Sequence, residues 1–373
     1  MTLTQLTTLL NRSLSSAGYE MGGLSDLSWV DVGTAIGSMT DNQFKTFQQE
    51  FALGVIKNKF DTRRFEKSLD ISTDAQEYNG IKQYIKAGFI NAEDVSPVAL
   101  VNGTDYNDRV YKAITTDVLL VTKDEGFQLS WSVPQMDLKF LFSSEEGAMG
   151  YVALIEGAVA NSYNRNKWNI QLSLINRLII SANDGGRVVH LVTAYNACHT
   201  PQVTTSDCLE SADFKNWVKE QVANLKEYMT DISGKYNDGV IKSFTPLEDV
   251  RLILNTSFSN SLKNITTFNG IGEGALSLGD YQTVNAWYNN GSALLPGIGT
   301  TGNVAAYVDG TLKSVSYCVG CLFDKYAANM TLKVDRSVRS DYVPKGDFTN
   351  FFADFVGESF VYTRNNAVIL TLD

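Results

Sequence analysis

"SSEEGAMGYVALIEGAVANSYNRNKWNIQLSLINRLIISAND", residues 143–184, carries the strongest local signal in the chain. Ser143 and Glu146 have the spacing of a capping box, in which each side chain satisfies a backbone N–H that the first helical turn leaves open. Val152, Ile155, Val159, Tyr163, Ile170, Leu174 and Leu178 then follow helical spacing with one gap near Asn166, and N-D-G-G at 183–186 ends the run. From Ser144 to Ser181 such a helix is about 57 Å long at 1.5 Å per residue. A compact globule of this chain length has a radius of gyration of about 21 Å, hence a diameter of roughly 54 Å. One helix would cross the whole molecule, so an elongated subunit is expected.

Upstream, "FKTFQQEFALGVIKNKF" places Phe44, Phe47, Phe51, Val55 and Phe60 at mostly helical spacing, and residues 1–60 form a helical N-terminal arm in this reading. Residues 61–142 switch to strand composition. "VYKAITTDVLLVTKDEGFQLSWSVPQMDLKFLF" predicts a long hairpin with its turn at "KDEG". Val118, Leu119, Leu120 and Val121 put apolar side chains on both of its faces, and a two-stranded ribbon is marginal alone in water. It needs a surface to lie on.

Downstream of the long helix (143–186), residues 187–310 alternate strand and helix patterns. "RVVHLVTAY" predicts a strand. "SADFKNWVKEQVANLKEYMTDISGKYN" predicts an amphipathic helix on Phe214, Trp217, Val218, Gln221, Leu225, Met229 and Ile232, stopped by Gly234. Thr245 and Glu248 repeat the capping-box spacing, with Pro246 at the first turn. Residues 267–310 are Gly-rich and irregular. The last stretch, 311–373, closes with "FFADFVGESFVYTRNNAVILTLD", a strand, a turn at "RNN" and a strand.

Chemistry-bearing motifs are few. "CVGC", Cys318 to Cys321, is half of a zinc knuckle, and Cys198, Cys208 and the adjacent His199 are the only candidates for the other half. The spacing of Cys198 and Cys208 is C-x9-C rather than the short spacing of a knuckle, and "SVSYCVGCLFDKY" alternates like a strand. Packed thiols are the expected state. Gly297, Gly299 and Gly302 spell G-x-G-x-x-G, but Pro296 precedes them and Asp309 comes too early for a dinucleotide site. His190 sits within an apolar run, and Glu145 and Glu146 lie in a first helical turn where the macrodipole accounts for them. No nucleophile elbow, H-E-x-x-H or phosphate loop occurs. The residues therefore point to no catalytic, cofactor or metal site, and to no enzyme.

At 373 residues, 44% hydrophobic and 19% charged, the chain has material for a sizeable core. Its net charge of -10 is spread evenly, without the basic tail or patch that gripping phosphates requires, so tight nucleic-acid binding is not expected. No run approaches a membrane span, the first twenty residues lack the basic and apolar regions of a signal peptide, and four cysteines do not make a disulfide scaffold.

The order of helical arm, hairpin, one very long helix, mixed domain and closing strands resembles the Hong Kong 97-like fold of tailed-phage and herpesvirus major capsid proteins. "SWSVPQMDLKFLFSSEEGAMGYVALIEGAVANSYN", "YMTDISGKYNDGVIKSFTPLEDVRLILN" and "CLFDKYAANMTLKVDRSVRSDYVPKGDFTNFF" are similar to segments of phage head proteins of this class. The resemblance implies an α+β fold with N-arm (1–60), extended E-loop region (61–142), spine helix of the P-domain (143–186), A-domain (187–310) and C-terminal strands returning to the body (311–373). It further implies a structural protein that assembles with itself into hexamers and pentamers of an icosahedral head around double-stranded DNA, without sequence-specific binding. Expected partners are a portal and a separate scaffolding protein, the arm being short for a cleavable scaffolding segment. The expected location is the virion, after synthesis in the host cytoplasm. An encapsulin-like compartment or another phage structural protein is the alternative, with a zinc or redox protein behind it.

Overall fold

The computed structural model describes residues 3–18, 29–40, 42–44, 46–47, 50–51, 65, 67–73, 82–90, 114–121, 124–134, 145–263, 280–287, 304–308, 310–339, 343–346 and 348–373. Its helices are α1 (Leu3–Ser16), α2 (Trp29–Ser38), α3 (Glu145–Asp184), α4 (Leu191–Cys198), α5 (Ala212–Tyr228) and α6 (Thr256–Lys263). Its strands are β1 (Lys82–Ala87), β2 (Thr116–Val121), β3 (Asp124–Pro134), β4 (Val188–His190), β5 (Val250–Asn255) and β6 (Gln282–Val284). They continue with β7 (Val304–Val308), β8 (Thr311–Val315), β9 (Cys318–Asp324), β10 (Ala328–Arg339), β11 (Phe348–Val361) and β12 (Ala367–Thr371). The chain divides into two compact units, one of residues 1–68, 124–170 and 332–357, the other of 69–123, 171–331 and 358–373.

In the first unit the N-terminal helices close a small core. Leu9, Leu10 and Leu14 of α1 meet Val32 and Ile36 of α2, together with Phe44, Phe47 and Phe51, and Val133 of β3 and Phe351 of β11 complete the cluster. Phe44, Phe47 and Phe51 stack ring on ring, which is what spacings of three and four residues on one helix face produce. Gln43 Oε1 accepts from both the Thr40 amide (3.1 Å) and its hydroxyl (2.8 Å), tying down the start of that turn. Val55 and Phe60 lie outside the described residues, as does Ser143.

The long helix is present as α3, 40 residues from Glu145 to Asp184, unbroken at Asn166. Gly186 takes φ +68°, a conformation costly for any side chain, and the reversal lets the Arg187 amide reach Ala182 O at 2.9 Å. Leu174, Ile175, Leu178, Ile179 and Ile180 of its second half are buried. In the first unit Tyr163 of α3 packs on Phe355 of β11 and Phe127 of β3, with centroids 4.9 and 6.0 Å away.

The hairpin with a turn at "KDEG" does not form. β2 pairs antiparallel with β1, Ile85 opposite Val118 and Lys86 opposite Asp117, while β3 joins a three-stranded sheet of order β10-β11-β3. Only Thr122 and Lys123 separate β2 from β3, and neither suits the positive φ of a two-residue hairpin turn. Gly126, which suggested the turn, lies within β3, where a Cβ would stand 2.6 Å from Phe355 O. The glycine permits a close approach of β3 to β11.

The second unit holds a five-stranded sheet of order β4-β12-β9-β5-β6, mixed in direction, with β4 and β6 parallel to their neighbours. Every residue of β9 and β12 is buried. One core cluster gathers Val319 and Leu322 of β9, Leu252 and Leu254 of β5, Val368 and Leu370 of β12, and Phe214, Val218 and Val222 of α5.

Three boundaries differ from expectation. "RVVHLVTAY" is a three-residue strand followed by α4, because Leu191, Val192 and Tyr195 share a buried helical face, and a short apolar run does not distinguish the two periods. α5, capped by Ser211 accepting from the Phe214 amide, ends at Tyr228, and Ile232 is exposed. Thr245 caps no α-helix: its hydroxyl donates to buried Asp324 at 2.9 Å, and Leu247–Asp249 make one 3-10 turn into β5.

Candidate assembly surfaces

β1 and β2 form a ribbon whose two faces have opposite character, as strand alternation requires. Tyr84 and Leu119, opposite one another, face inward against Phe360 and Tyr362. The Tyr84 ring lies 4.7 Å from that of Phe360, and its hydroxyl accepts from Asn329 Nδ2 at 3.0 Å. The next inward pair, Lys86 and Asp117, is polar and fully engaged. Lys86 Nζ donates to Ser243 Oγ (2.6 Å), Arg364 O (2.9 Å) and Asn365 Oδ1 (2.6 Å). Asp117 meets Arg364 Nε at 3.1 Å and accepts from Tyr362 Oη at 3.3 Å, while Arg364 also pairs with Asp238. Asp238 accepts from Thr363 Oγ1 at 2.7 Å.

Electrostatics follow from this enclosure. Burial lowers the Lys86 pKa against the pull of Asp324 and Asp238. Burial, with Asp117 beside it, pushes Tyr362 up to about 12. Burial also raises Asp324, although the Tyr326 amide, the Thr245 hydroxyl and Lys86 all favour its charged form.

The outer face is open and carries Ile85, Ala87 and Val118 alongside the polar Gln83 and Thr116. Ile85 and Val118, directly opposite each other, are 66% and 51% exposed; Ile90 and Ile114, beyond the paired residues, are exposed too, while the partly exposed Phe89 sets its ring 6.0 Å from that of Phe244. A second ribbon, β7 with β8, repeats the scheme: Val304 and Val315 are a buried cross-strand pair, and Tyr307 and Leu312 an exposed one.

The cysteines lie apart in character. Cys318 and Cys321 are fully buried on β9, their Sγ atoms nearest the carbonyls of Gly320 (3.8 Å) and Leu322 (3.7 Å). Burial pushes Cys318 up to about 12 and raises Cys321 as well, and a thiol so held is a poor metal ligand or nucleophile. Between them, Gly320 leaves no room for a side chain: a Cβ would stand 2.6 Å from Leu254 Cδ2 and 2.8 Å from Ile253 O. The glycine of "CVGC" is a packing requirement of adjacent strands. Cys208 is buried in the sheet core, and Cys198 is exposed at the end of α4.

His199 stacks flat on Tyr195 at 4.2 Å and its Nδ1 contacts Tyr195 O. His190 Nδ1 meets Asp373 Oδ1 at 2.9 Å and Thr371 Oγ1 at 3.1 Å. No group of three or more His, Cys, Asp or Glu side chains able to hold a metal occurs among the described residues, and no helix among them is long and apolar enough to cross a membrane. Gly297, Gly299 and Gly302 lie outside the described residues, and a strand, β7, follows them.

Known proteins resemble this architecture. A solved chain from the capsid of Staphylococcus phage Andhra superposes with a TM-score of 0.53 at 11% identity, covering 84% of this chain and 88% of that one. A chain from a structure of the head fiber and inner core protein gp22 of native bacteriophage P68 does so with a TM-score of 0.51 at 11% identity, covering 84% and 89%. At such identity the likeness speaks for the fold: a mixed helix and sheet protein of the Hong Kong 97-like capsid class. Residues 55–371 match the Phi29-like phage major capsid protein family, and the chain belongs to it. No curated protein matches the sequence.

Proposed function

We propose that the protein is the non-enzymatic building block of an icosahedral phage head. In this reading it assembles into hexamers and pentamers around double-stranded DNA, after synthesis in the host cytoplasm and with help from a separate scaffolding protein and a portal. The observation that carries the reading is the two-faced β1–β2 ribbon. Its inner face is finished within the chain by Lys86, Asp117, Arg364 and the Tyr84 cluster, whereas Ile85, Val118 and Ile90 stand open to water. A monomer gains nothing from clamping an apolar face outward; a subunit that lays the face on a neighbour does. The residue range 61–142 then serves as the E-loop region, 143–186 as the spine and 187–310 as the axial domain.

Negative-stain electron microscopy of the protein, alone and with a scaffolding partner, tests this. Shells, tubes or sheets of uniform size are expected from the wild type, and their loss in an Ile85→Thr, Val118→Thr variant that remains folded by circular dichroism. Normal shells from that variant would refute the role of the ribbon. Shells that enclose an enzyme and no genome would instead indicate a protein compartment.

A further inference from the structure

The stretch between α5 and β5 is a second place where apolar side chains are held outward on a fixed backbone. Ser233 and Ser243 exchange both of their backbone hydrogen bonds at 2.9 Å, the Thr245 amide reaches Met229 O at 2.9 Å, and Asn237 Nδ2 donates to Ile241 O at 2.7 Å. Along 241–246 burial alternates as in a strand: Ile241, Ser243 and Thr245 face the body, while Lys242, Phe244 and Pro246 are exposed. Tyr228, Ile232, Val240 and Leu247 are each more than half exposed, and Phe244, beside Phe89, links this stretch to the root of the ribbon. Of fourteen exposed large apolar side chains among the described residues, five lie here and five on the ribbon or at its ends, a concentration that singly scattered surface residues do not produce.

The two surfaces match in size and in chemistry. Taking about 200 Å² for a large apolar side chain laid bare, five that are about half exposed leave roughly 500 Å² open on each. One partner of a standard interface contributes about 800 Å², a little over half of it apolar. The outward Gln83, Ile85, Ala87, Thr116 and Val118 carry no charge, so laying them on an apolar surface strands no ion. They cannot reach that surface within their own chain. Lys86 of the inner face donates to Ser243 Oγ, and Asp117 shares Arg364 with Asp238, so the ribbon is bonded to the very stretch that its outer face turns away from. In a shell built from this capsid protein, the neighbour that brings an open ribbon face is another copy.

We propose that the outer face of the β1–β2 ribbon in one copy of the chain seats on the 228–247 surface of a second copy. Ile85 and Val118 are the central pair of the ribbon face, and Ile232, Phe244 and Leu247 form the seat. The contact joins different faces of identical subunits, so it is head-to-tail and propagates from copy to copy, closing into a ring where the rotation allows. The inference rests on the shell reading and names the surface that receives the ribbon.

Paired substitutions in the full-length chain test it. Ile85→Lys with Val118→Lys, and separately Ile232→Glu with Leu247→Glu, are each expected to lower assembly yield on the order of tenfold while circular dichroism stays that of the wild type. The four changes together recover assembly, most fully at low salt, because lysines on the ribbon then meet acids on the seat. In a Cys198→Ser background, Val118→Cys with Leu247→Cys treated with a short bis-maleimide is expected to give a ladder of covalent multimers, and Leu247→Cys alone none. Dimers from Leu247→Cys alone would show the seat meeting its own counterpart and overturn the proposal. Normal shells from the Ile232→Glu, Leu247→Glu variant overturn the seat and leave the shell reading standing, whereas wild-type protein that stays monomeric removes both. A seat variant that fails only by losing a scaffolding partner, with no multimers from the paired cysteines, would reassign the seat to that partner and also overturn the contact.

Discussion

β9 and the β1–β2 ribbon are both strand structures rich in apolar residues, yet only one is complete within the chain. β9 lies between β12 and β5 with all seven residues buried. The ribbon is completed on one face and stops at Ile85 and Val118 on the other. Hydrophobicity alone does not separate a strand enclosed on both faces from one with an open face; what separates them is whether the chain supplies the second partner. The same test distinguishes the two halves of "CVGC" chemistry. Thiols that suggest a metal site are used as packing atoms, and the glycine between them sets how closely two strands approach.

Perturbing β9 should cost the most stability. Gly320→Ala is expected to destabilise the folded chain by about 3 kcal/mol, since Leu254 and the Ile253 carbonyl must give way and a backbone atom cannot do so cheaply. Chemical denaturation measures this, and an unchanged midpoint would show that β9 and β5 are less tightly apposed. Arg364→Ala should cost less, about 1–2 kcal/mol, because it strips Asp117 and Asp238 of their shared partner at a partly exposed site. Its second signature is faster proteolysis of the β1–β2 ribbon relative to the sheet.

Asp324 contributes a pH dependence rather than a fixed loss. Its folded pKa lies above the ordinary carboxylate value, so its contribution to stability is present in full below that ordinary value and is lost as pH rises through the folded pKa. Denaturation midpoints of Asp324→Asn should therefore gain on the wild type as pH rises from 4 toward neutrality. Parallel curves would show that the carboxyl titrates as in water. The smallest stability effect belongs to the outer ribbon face: Ile85→Thr with Val118→Thr should shift stability by less than about 0.5 kcal/mol while abolishing shells. A large loss of stability there would mean that the face is finished within the chain after all.

Much of this architecture was legible from periodicity. α3 announced itself through seven apolar positions at helical spacing, and the closing strands through alternation and a turn at "RNN". Partner choice was not legible. The period of a strand says that it has faces but not which strand it will meet, so β2 was assigned to β3 when its partner β1 lies some thirty residues earlier. Gly126 misled because a glycine required by a neighbouring backbone looks in sequence like one required by a turn.

β12 sits between β4 and β9, and the turn that leads into it supplies Arg364 and Asn365 to the base of the ribbon. Val188 leaves the ribosome well before Thr371, by on the order of ten to forty seconds at ordinary elongation rates. Until the late strand emerges, the sheet is split and the ribbon lacks the groups that hold it outward. The ribbon is thus completed only after β12 has been made, and a translation product interrupted before that strand would lack the Lys86 contacts to Arg364 and Asn365.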